Sequence, residues 1–175
     1  EQLLRHYLIL QEIPQALESR TIRVYYQPVV DCVSGEVIGA EALVRWSHPT
    51  LGDLSPGEFI PIIEQHGYER ALGIYVVEHV AELMGTLREQ VKDDFAISVN
   101  ICPTELQDPD LVWHMVRSLD AHAVPHSALV VELTERTLLT NIQTANTVLH
   151  LLHSQGIQVA IDDFGTGFSS LSYLH

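Results

Sequence analysis

Residues 157–167 read Ile157-Gln158-Val159-Ala160-Ile161-Asp162-Asp163-Phe164-Gly165-Thr166-Gly167, a short apolar run that meets two adjacent carboxylates and a glycine-rich turn. A run of this length bounded by turn residues is typical of a buried strand. Burying one carboxylate is costly, and a second carboxylate beside it adds repulsion. Such a pair at a strand end therefore indicates a cation site, although the segment alone is equally consistent with a solvated Asp-rich turn.

Three further apolar runs also end in a polar residue that can bind a metal ion, namely Glu41, Asn100 and Glu132. Asn100 and Glu132 are 32 residues apart, and Glu132 and Asp162 are 30 residues apart. A strand with its crossover helix takes about 30 residues, and the 59 residues between Glu41 and Asn100 leave room for one such unit with a long insertion. The spacing predicts one polar group per βα unit, at the carboxyl end of each strand, where the active sites of (β/α)8 barrels lie.

The composition favours a single domain that acts on a small anionic ligand. The chain has 175 residues, 46% of them hydrophobic, which suffices for one core. Its formal net charge of −14 argues against a groove for a nucleic-acid polymer, which would be basic. A small anionic substrate remains compatible with this charge, because divalent cations can supply the positive field.

The same composition predicts a cytoplasmic location. No apolar run approaches the ~20 residues of a membrane helix, and no signal-peptide pattern opens the sequence. Any membrane anchor is therefore expected outside these residues. The two cysteines, Cys32 and Cys102, have neither metal-ligand spacing nor a disulfide pattern, which agrees with a reducing compartment.

Hydrophobic periodicity and turn residues predict the order of the elements. Helices are expected at 1–20 with a possible break at Pro14, after Ser55-Pro56 to about 66, at 69–91, at 103–122 with a division at Asp108-Pro109, at 141–155 and from 169 onward. Strands are expected at 21–30, 37–46, 94–101, 128–133 and 157–161, with loops at 31–36 and 48–56. The short turn between the first two strands predicts an antiparallel pair, and the later β-α-β-α-β alternation predicts parallel neighbours.

Strand parity suggests space beneath the four polar groups. Side chains two residues apart share a face of a strand. The residues two positions before the polar groups are Gly39, Ser98, Val130 and Ala160, none of them large. We interpret this as room for a cation and a ligand in the mouth of a barrel.

Seven short motifs in this order resemble the EAL domain family. The signature itself is Glu41-Ala42-Leu43, and the other motifs are Tyr26-Gln27-Pro28, His48-Pro49 with Gly52, Phe59-Ile60-Pro61, Ser98-Val99-Asn100, Glu132-Leu133-Thr134-Glu135 and the segment from Asp162 to Gly167. Their order and approximate spacing match the family from about residue 20 onward, so the resemblance covers nearly the whole chain.

The resemblance implies an α/β fold, a modified (β/α)8 TIM-like barrel with an antiparallel strand near its start. It implies hydrolysis of cyclic di-GMP to linear pGpG with Mg²⁺ or Mn²⁺, two cations per site. The implied metal ligands are Glu41, Asn100, Glu132, Asp162 and Asp163, and the implied catalytic residues are Glu41, Asp162, Asp163 and Glu135, the last as a brace for the loop 162–167. The implied substrate contacts are Gln27, Leu43 and Arg45.

This chemistry also follows from the donor types. Two cations can lower the pKa of an attacking water and offset the charge that develops on a phosphodiester. Hard oxygen ligands without paired His or Cys favour Mg²⁺ or Mn²⁺ over zinc. The simpler alternatives are that Glu41 is a solvated strand residue and that Arg45 is an ordinary ion-pair partner.

A closed (β/α)8 barrel usually takes about 250 residues, so we expect an incomplete barrel here. On this interpretation residues 1–175 form the N-terminal two-thirds to three-quarters of an EAL-type domain, with a lead-in helix at 1–20 and the barrel portion at 21–175. The family's lysine, distal glutamate and glutamine are expected after His175, and these 175 residues alone are expected to show little turnover. Further expectations are a homodimer through the loop 162–167, regulatory domains elsewhere and, as the alternative function, an inactive cyclic di-GMP receptor or scaffold.

Overall fold

The computed structural model describes residues 2–134 and 142–162, except for the side chains of 142–144. Within these ranges the helices are α1 (Gln2–Glu18), α2 (Pro56–Gln65), α3 (Glu69–Leu87), α4 (Pro109–Ala121) and α5 (Ile142–Ser154). The strands are β1 (Ile22–Val30), β2 (Val37–His48), β3 (Gly52–Leu54), β4 (Ala96–Asn100), β5 (Leu129–Thr134) and β6 (Gln158–Asp162). Two 3-10 turns, Glu105–Gln107 and His126–Ala128, precede α4 and β5.

The six strands form one sheet in the order β1-β2-β4-β5-β6, and β3 pairs with β2 outside this path. β1 and β2 are antiparallel, whereas β2, β4, β5 and β6 are parallel neighbours. This topology confirms the predicted antiparallel start and the predicted parallel β-α-β-α-β part. Within the described residues the sheet does not close into a barrel, as expected for an incomplete one.

The two faces of the sheet differ in chemistry because side chains alternate along each strand. One face carries the apolar core against the helices. Its fully buried residues include Trp46, Ile97, Leu129, Val131 and Leu133. The residues between them in sequence therefore point to the opposite face, the interior side of a barrel. The polar residues of interest lie on that face.

Local signals in the sequence fix several helix ends. The backbone N–H of Ser55 donates a hydrogen bond to Glu58 Oε2 at 3.2 Å, which caps the start of α2. Gly67 follows α2 with a φ of +75°, a conformation that glycine adopts without strain. Asp108 caps α4 by accepting a hydrogen bond from the Asp110 N–H at 3.0 Å. The predicted divide at Asp108-Pro109 is thus a helix start.

The structure differs from the sequence prediction in α1, β3 and α3, and the predicted helical segment 103–108 contains only the 3-10 turn Glu105–Gln107. α1 continues through Pro14 as one helix, because Ile9, Ile13 and Ala16 bury a single face along it. Strand β3 falls in the predicted loop 48–56 and pairs with the end of β2, a pairing that its three residues do not signal. Helix α3 ends at Leu87, four residues before the predicted end.

Candidate active site

Strand register brings the predicted metal ligands together on one face of the sheet. Asn100 and Glu132 are direct partners on the parallel strands β4 and β5. Glu41 is level with Ser98, two residues below Asn100, whereas Asp162 is level with Thr134, two residues above Glu132. The four residues therefore form a line that rises across four neighbouring strands. We call Glu41, Asn100, Glu132 and Asp162 the strand-end cluster.

The βα spacing predicts a polar group at the end of every strand, which is wrong for Glu41, whereas the predicted strand 37–46 has Glu41 in its middle or late part, as the structure does. Glu41 is the fifth of the 12 residues of β2, which continues to His48. The physical reason is that β4 pairs with β2 only from Gly39 to Ala42, while β1 and β3 support the rest of β2. Glu41 thus lies near the carboxyl end of the parallel-paired part of its strand, which keeps it beside Asn100.

One hydrogen bond and the charges of the carboxylates connect the members of the strand-end cluster. Asn100 Nδ2 donates a hydrogen bond to Glu41 Oε1 at 2.8 Å. Burial raises the pKa of the half-buried Glu132 carboxyl, the Ser98 hydroxyl lowers it by donating a hydrogen bond, and the charges of Glu41 and Asp162 raise it again. Glu132 is therefore close enough to Glu41 and to Asp162 for their charges to act on it. Glu41 is not simply a solvated strand residue.

The donor chemistry of this cluster fits a hard divalent cation. Its described members offer carboxylate and amide oxygens, the ligands that Mg²⁺ and Mn²⁺ prefer. Within residues 2–134 and 142–162, no three His, Cys, Asp or Glu side chains are arranged to hold a metal ion by themselves. The amide oxygen of Asn100 would be a further donor, and two predicted residues, Asp163 and Glu135, lie outside the described residues, as does the loop 163–167.

The small residues beneath the cluster have specific structural reasons. A Cβ atom on Gly39 would lie 2.5 Å from the carbonyl oxygen of Ala96, so β2 and β4 can pair closely only with glycine there. Ser98 is buried and directs its hydroxyl to Glu132. Gly39 therefore sets the distance between two strands, and Ser98 orients a carboxylate. Sequence parity alone did not reveal either role.

The three predicted substrate contacts lie on the antiparallel hairpin beside the cluster. Gln27 on β1 is the register partner of Glu41, and Leu43 is the partner of Tyr25. Arg45 is exposed, and its Nη1 donates a hydrogen bond to the carbonyl oxygen of Val44 at 2.8 Å. Among the residues that the structure describes, Arg45 forms no ion pair, so its charge is available to a ligand.

A cavity of about 670 Å³ is lined by Asn100 of the cluster, by other residues of the sheet and by residues of α2, α3 and the segment after β4. Leu43, Arg45, Asn100 and Thr134 line its sheet side. Its opposite wall carries three carboxylates that sequence reasoning missed, Glu64, Glu69 and Glu105. No motif spacing marks these three residues, because they come from two helices and a 3-10 turn. A volume of this size suits a small ligand.

Comparison with known proteins gives consistent matches. The sequence profile described as "EAL domain" matches residues 10–175. An uncharacterized protein of Synechocystis sp. is 41% identical over 160 residues, which is 91% of this chain and 23% of the relative. The bifunctional diguanylate cyclase/cyclic di-GMP phosphodiesterase MucR of Pseudomonas aeruginosa is 36% identical over 95% of this chain and 24% of its own length. The chain thus spans about a quarter of each of these relatives.

Solved structures share the fold. The MucR phosphodiesterase in complex with c-di-GMP has a TM-score of 0.88 at 36% identity, over 95% of this chain and 67% of that one. The EAL enzyme Bd1971, bound to cAMP and cyclic di-GMP, has a TM-score of 0.88 at 30% identity, over 99% of this chain and 48% of that one. In the described part of this chain, no helix is both long and apolar enough to cross a bilayer.

Proposed function

The chain belongs to the EAL domain family, and from this premise we propose that the protein hydrolyses cyclic di-GMP to linear pGpG with the help of Mg²⁺ or Mn²⁺. The observation that carries the proposal is the strand-end cluster. In this cluster Asn100 donates a hydrogen bond to Glu41, and the charges of Glu41 and Asp162 act on Glu132. Asn100 also lines the cavity. A cluster that serves only the fold would not need the charges of Glu41 and Asp162 beside the half-buried Glu132 carboxyl. The relatives named as cyclic di-GMP phosphodiesterases support the same substrate.

We assign the cation ligands to Glu41, Asn100, Glu132 and Asp162, with Asp163 as a further ligand and Glu135 as a brace. When bound, the cations would lower the pKa of the attacking water and would offset the negative charge that develops on the phosphate. The chain's own residues hold this arrangement. Asn100 donates its amide N–H to Glu41 and keeps its amide oxygen for a cation, while Ser98 orients Glu132.

The proposal places the substrate along the hairpin and in the cavity. Arg45, which has an unpaired positive charge among the described residues, lies where it can contact a phosphate of an anionic dinucleotide. Leu43 offers an apolar side chain at the cavity's sheet side, and Gln27 lies level with Glu41 on β1. The cavity can take one base, which leaves a phosphodiester near the cluster.

Hydrolysis by the full-length protein is the direct test. We expect steady-state conversion of cyclic di-GMP to pGpG, measured by chromatography, in the presence of Mg²⁺ or Mn²⁺. Removing the cations with EDTA should abolish conversion, because the acidic site would then repel the substrate and no group would activate the water. Adding Mn²⁺ back should restore it. Conversion that persists undiminished in EDTA would contradict the metal requirement.

Metal binding without substrate gives a second prediction. Replacing Glu132 with glutamine should weaken Mn²⁺ binding by about 10–100-fold or more, since even residues that only orient ligands have effects of this size. Isothermal titration of the full-length protein with Mn²⁺ would measure the change. Glu36→Gln is the matched control, because Glu36 is exposed and paired with Lys92 at 2.6 Å, away from the cluster. Equal affinities of wild type and Glu132→Gln would contradict the ligand assignment.

A further inference from the structure

The far wall of the cavity contains a carboxyl group that the proposed reaction does not use. Glu105 lies in the 3-10 turn after β4 and is only 7% exposed. Its Oε2 accepts a hydrogen bond from the backbone N–H of Cys102 at 3.0 Å, and the Cys102 thiol also donates to it. Glu105 is therefore fixed in place and is not a mobile surface residue.

The other carboxyl oxygen of Glu105, Oε1, lies against helix α3 at Gly73. A Cβ atom on Gly73 would lie 1.9 Å from Glu105 Oε1, so the carboxyl fills the space where a side chain would be. Glu69 lies one turn earlier on the same helix and lines the same cavity. Residues four apart share one face of a helix, which brings the carboxyl of Glu69 towards that of Glu105.

Two buried oxygens on this wall lack partners. Among the described residues, neither Glu105 Oε1 nor Glu69 Oε2 has a hydrogen-bond partner, although both atoms are buried from solvent. Buried polar atoms without partners are rare and costly. A single proton shared between the two carboxyl groups would satisfy both atoms.

We propose that Glu105 is a positioning residue, which as a neutral acid donates a hydrogen bond from its O–H to the carboxylate of Glu69 and thereby holds the segment after Asn100 against the first turn of α3. This role rests on the proposed function, because the contact between Glu105 and Glu69 holds the cavity wall in place beside the strand-end cluster. Ionised Glu105 would instead face the negative charge of Glu69, and the segment would lose its attachment to α3.

The charges around Glu105 favour the neutral form. Its pKa is raised to about 7, because burial and, to a lesser extent, the charges of Glu69 and then Glu64 raise it more than the hydrogen bonds from Cys102 lower it. Two arginines of the described structure lie on the elements around Glu105. Arg70 on α3 is ion-paired with Asp108, and its Nη2 lies 4.0 Å from Asp110 Oδ2. Arg45 on β2 donates a hydrogen bond to the Val44 carbonyl oxygen. On α5, which packs against the turn, His150 and His153 are exposed.

The proposal predicts a loss of stability as the pH rises. The folded-state pKa of Glu105 lies above its ordinary value of 4.5, so the folded protein holds a proton that the unfolded chain releases. The stabilisation is full below pH 4.5 and is lost as the pH rises through about 7. Thermal unfolding of the full-length protein between pH 5 and 8.5 should show this fall in Tm. In Glu105→Gln, which cannot ionise and can donate an N–H to Glu69, the fall should be smaller.

Substrate affinity should follow the same titration. With a pKa of about 7, Glu105 is mostly protonated at pH 6 and only about one-tenth protonated at pH 8. If the protonated form alone presents the correct cavity wall, the KM for cyclic di-GMP should rise about tenfold between these values. Glu105→Gln should keep the low KM across this range, with kcat following the wild-type profile.

The two measurements separate this inference from the proposed function. A fall in Tm that depends on Glu105, in a protein that does not act on cyclic di-GMP, would support the carboxyl pair and refute the activity. The same Tm profile in wild type and Glu105→Gln would overturn the pair, whatever the activity. Glu69→Gln provides the second variant, since its amide would donate to ionised Glu105 and should also flatten the Tm profile.

Gly73→Ala tests the contact on α3. Its new methyl group must displace the Glu105 carboxyl, so KM should rise at pH 6 to the level of Glu105→Ala. Adding Gly73→Ala to Glu105→Ala should have little further effect, because the clashing group is then absent. Fully additive effects of the two substitutions would overturn the proposed contact.

Discussion

Replacing Glu41 with alanine is expected to lower kcat/KM for cyclic di-GMP by about 10²–10³-fold or more, the range found when one catalytic donor is removed. The substitution deletes a carboxylate of the strand-end cluster and leaves the Asn100 amide without its partner at 2.8 Å. The fold should persist, because Glu41 faces away from the apolar core. Steady-state hydrolysis by the full-length protein, together with its circular dichroism spectrum, would measure both effects.

Glu36→Ala is the control for this experiment. Glu36 lies in the turn between β1 and β2, is exposed and pairs with Lys92 at 2.6 Å, an ion pair that contributes little at a surface. It removes the same charge from the same hairpin, yet it should leave kcat/KM unchanged. Equal losses in Glu36→Ala and Glu41→Ala would mean that net charge, and not the position of Glu41, governs activity.

Replacing Gly39 with alanine is expected to reduce both stability and activity. The new Cβ would lie 2.5 Å from the carbonyl oxygen of Ala96, and a backbone atom in a paired strand cannot move aside easily. Overpacking of this kind costs about 1–3 kcal/mol. We expect Tm to fall by roughly 2–12 °C for a domain of this size. Because β2 carries Glu41 and β4 carries Asn100, kcat/KM should also fall by up to about 10²-fold.

Gly57→Ala provides the matched control. Gly57 lies in α2, and a Cβ atom there would have no atom within 4 Å among the described residues. The substitution should be neutral or stabilising by about 0.5–1 kcal/mol, because alanine favours a helix over glycine. A Gly39→Ala protein with wild-type Tm and activity would show that β2 and β4 can separate without moving Glu41 from Asn100.

The sequence was informative where the signal is local or repeats with a period. The βα spacing of about 30 residues predicted the parallel strands that carry Asn100, Glu132 and Asp162, and the structure brings all three together with Glu41. The short turn at 31–36 predicted the antiparallel hairpin. These patterns succeed because strand alternation and turn chemistry depend on neighbouring residues only.

Features that depend on strand register or on packing between distant segments could not be predicted from the sequence. The predicted strand 37–46 contains Glu41 in its middle or late part, but periodicity does not encode that β2 has different neighbours along its length. In the sequence Gly39 is only a small residue near the predicted site, whereas the structure shows that the backbones of β2 and β4 approach each other closely there. Glu105 carries no motif, and its buried carboxyl becomes apparent only once the turn after β4 packs against α3.

The acidic character of the protein is consistent with this account. The net charge of −14 includes carboxylates on one wall of the cavity and in the strand-end cluster beside it, which would oppose a dinucleotide with two phosphates. Bound cations at the strand-end cluster and the charge of Arg45 would offset this repulsion locally. The negative field elsewhere then disfavours nucleic-acid polymers, in line with the sequence-based expectation.

A single-turnover experiment tests the central claim most directly. The full-length protein, in excess over cyclic di-GMP and with Mn²⁺ present, is quenched at intervals, and the nucleotide is separated by chromatography. Because every substrate molecule can bind, even slow hydrolysis becomes visible. The account predicts that the bound nucleotide is converted to linear pGpG. Recovery of intact cyclic di-GMP from a protein that has bound it would contradict the proposed phosphodiesterase and would instead indicate a receptor.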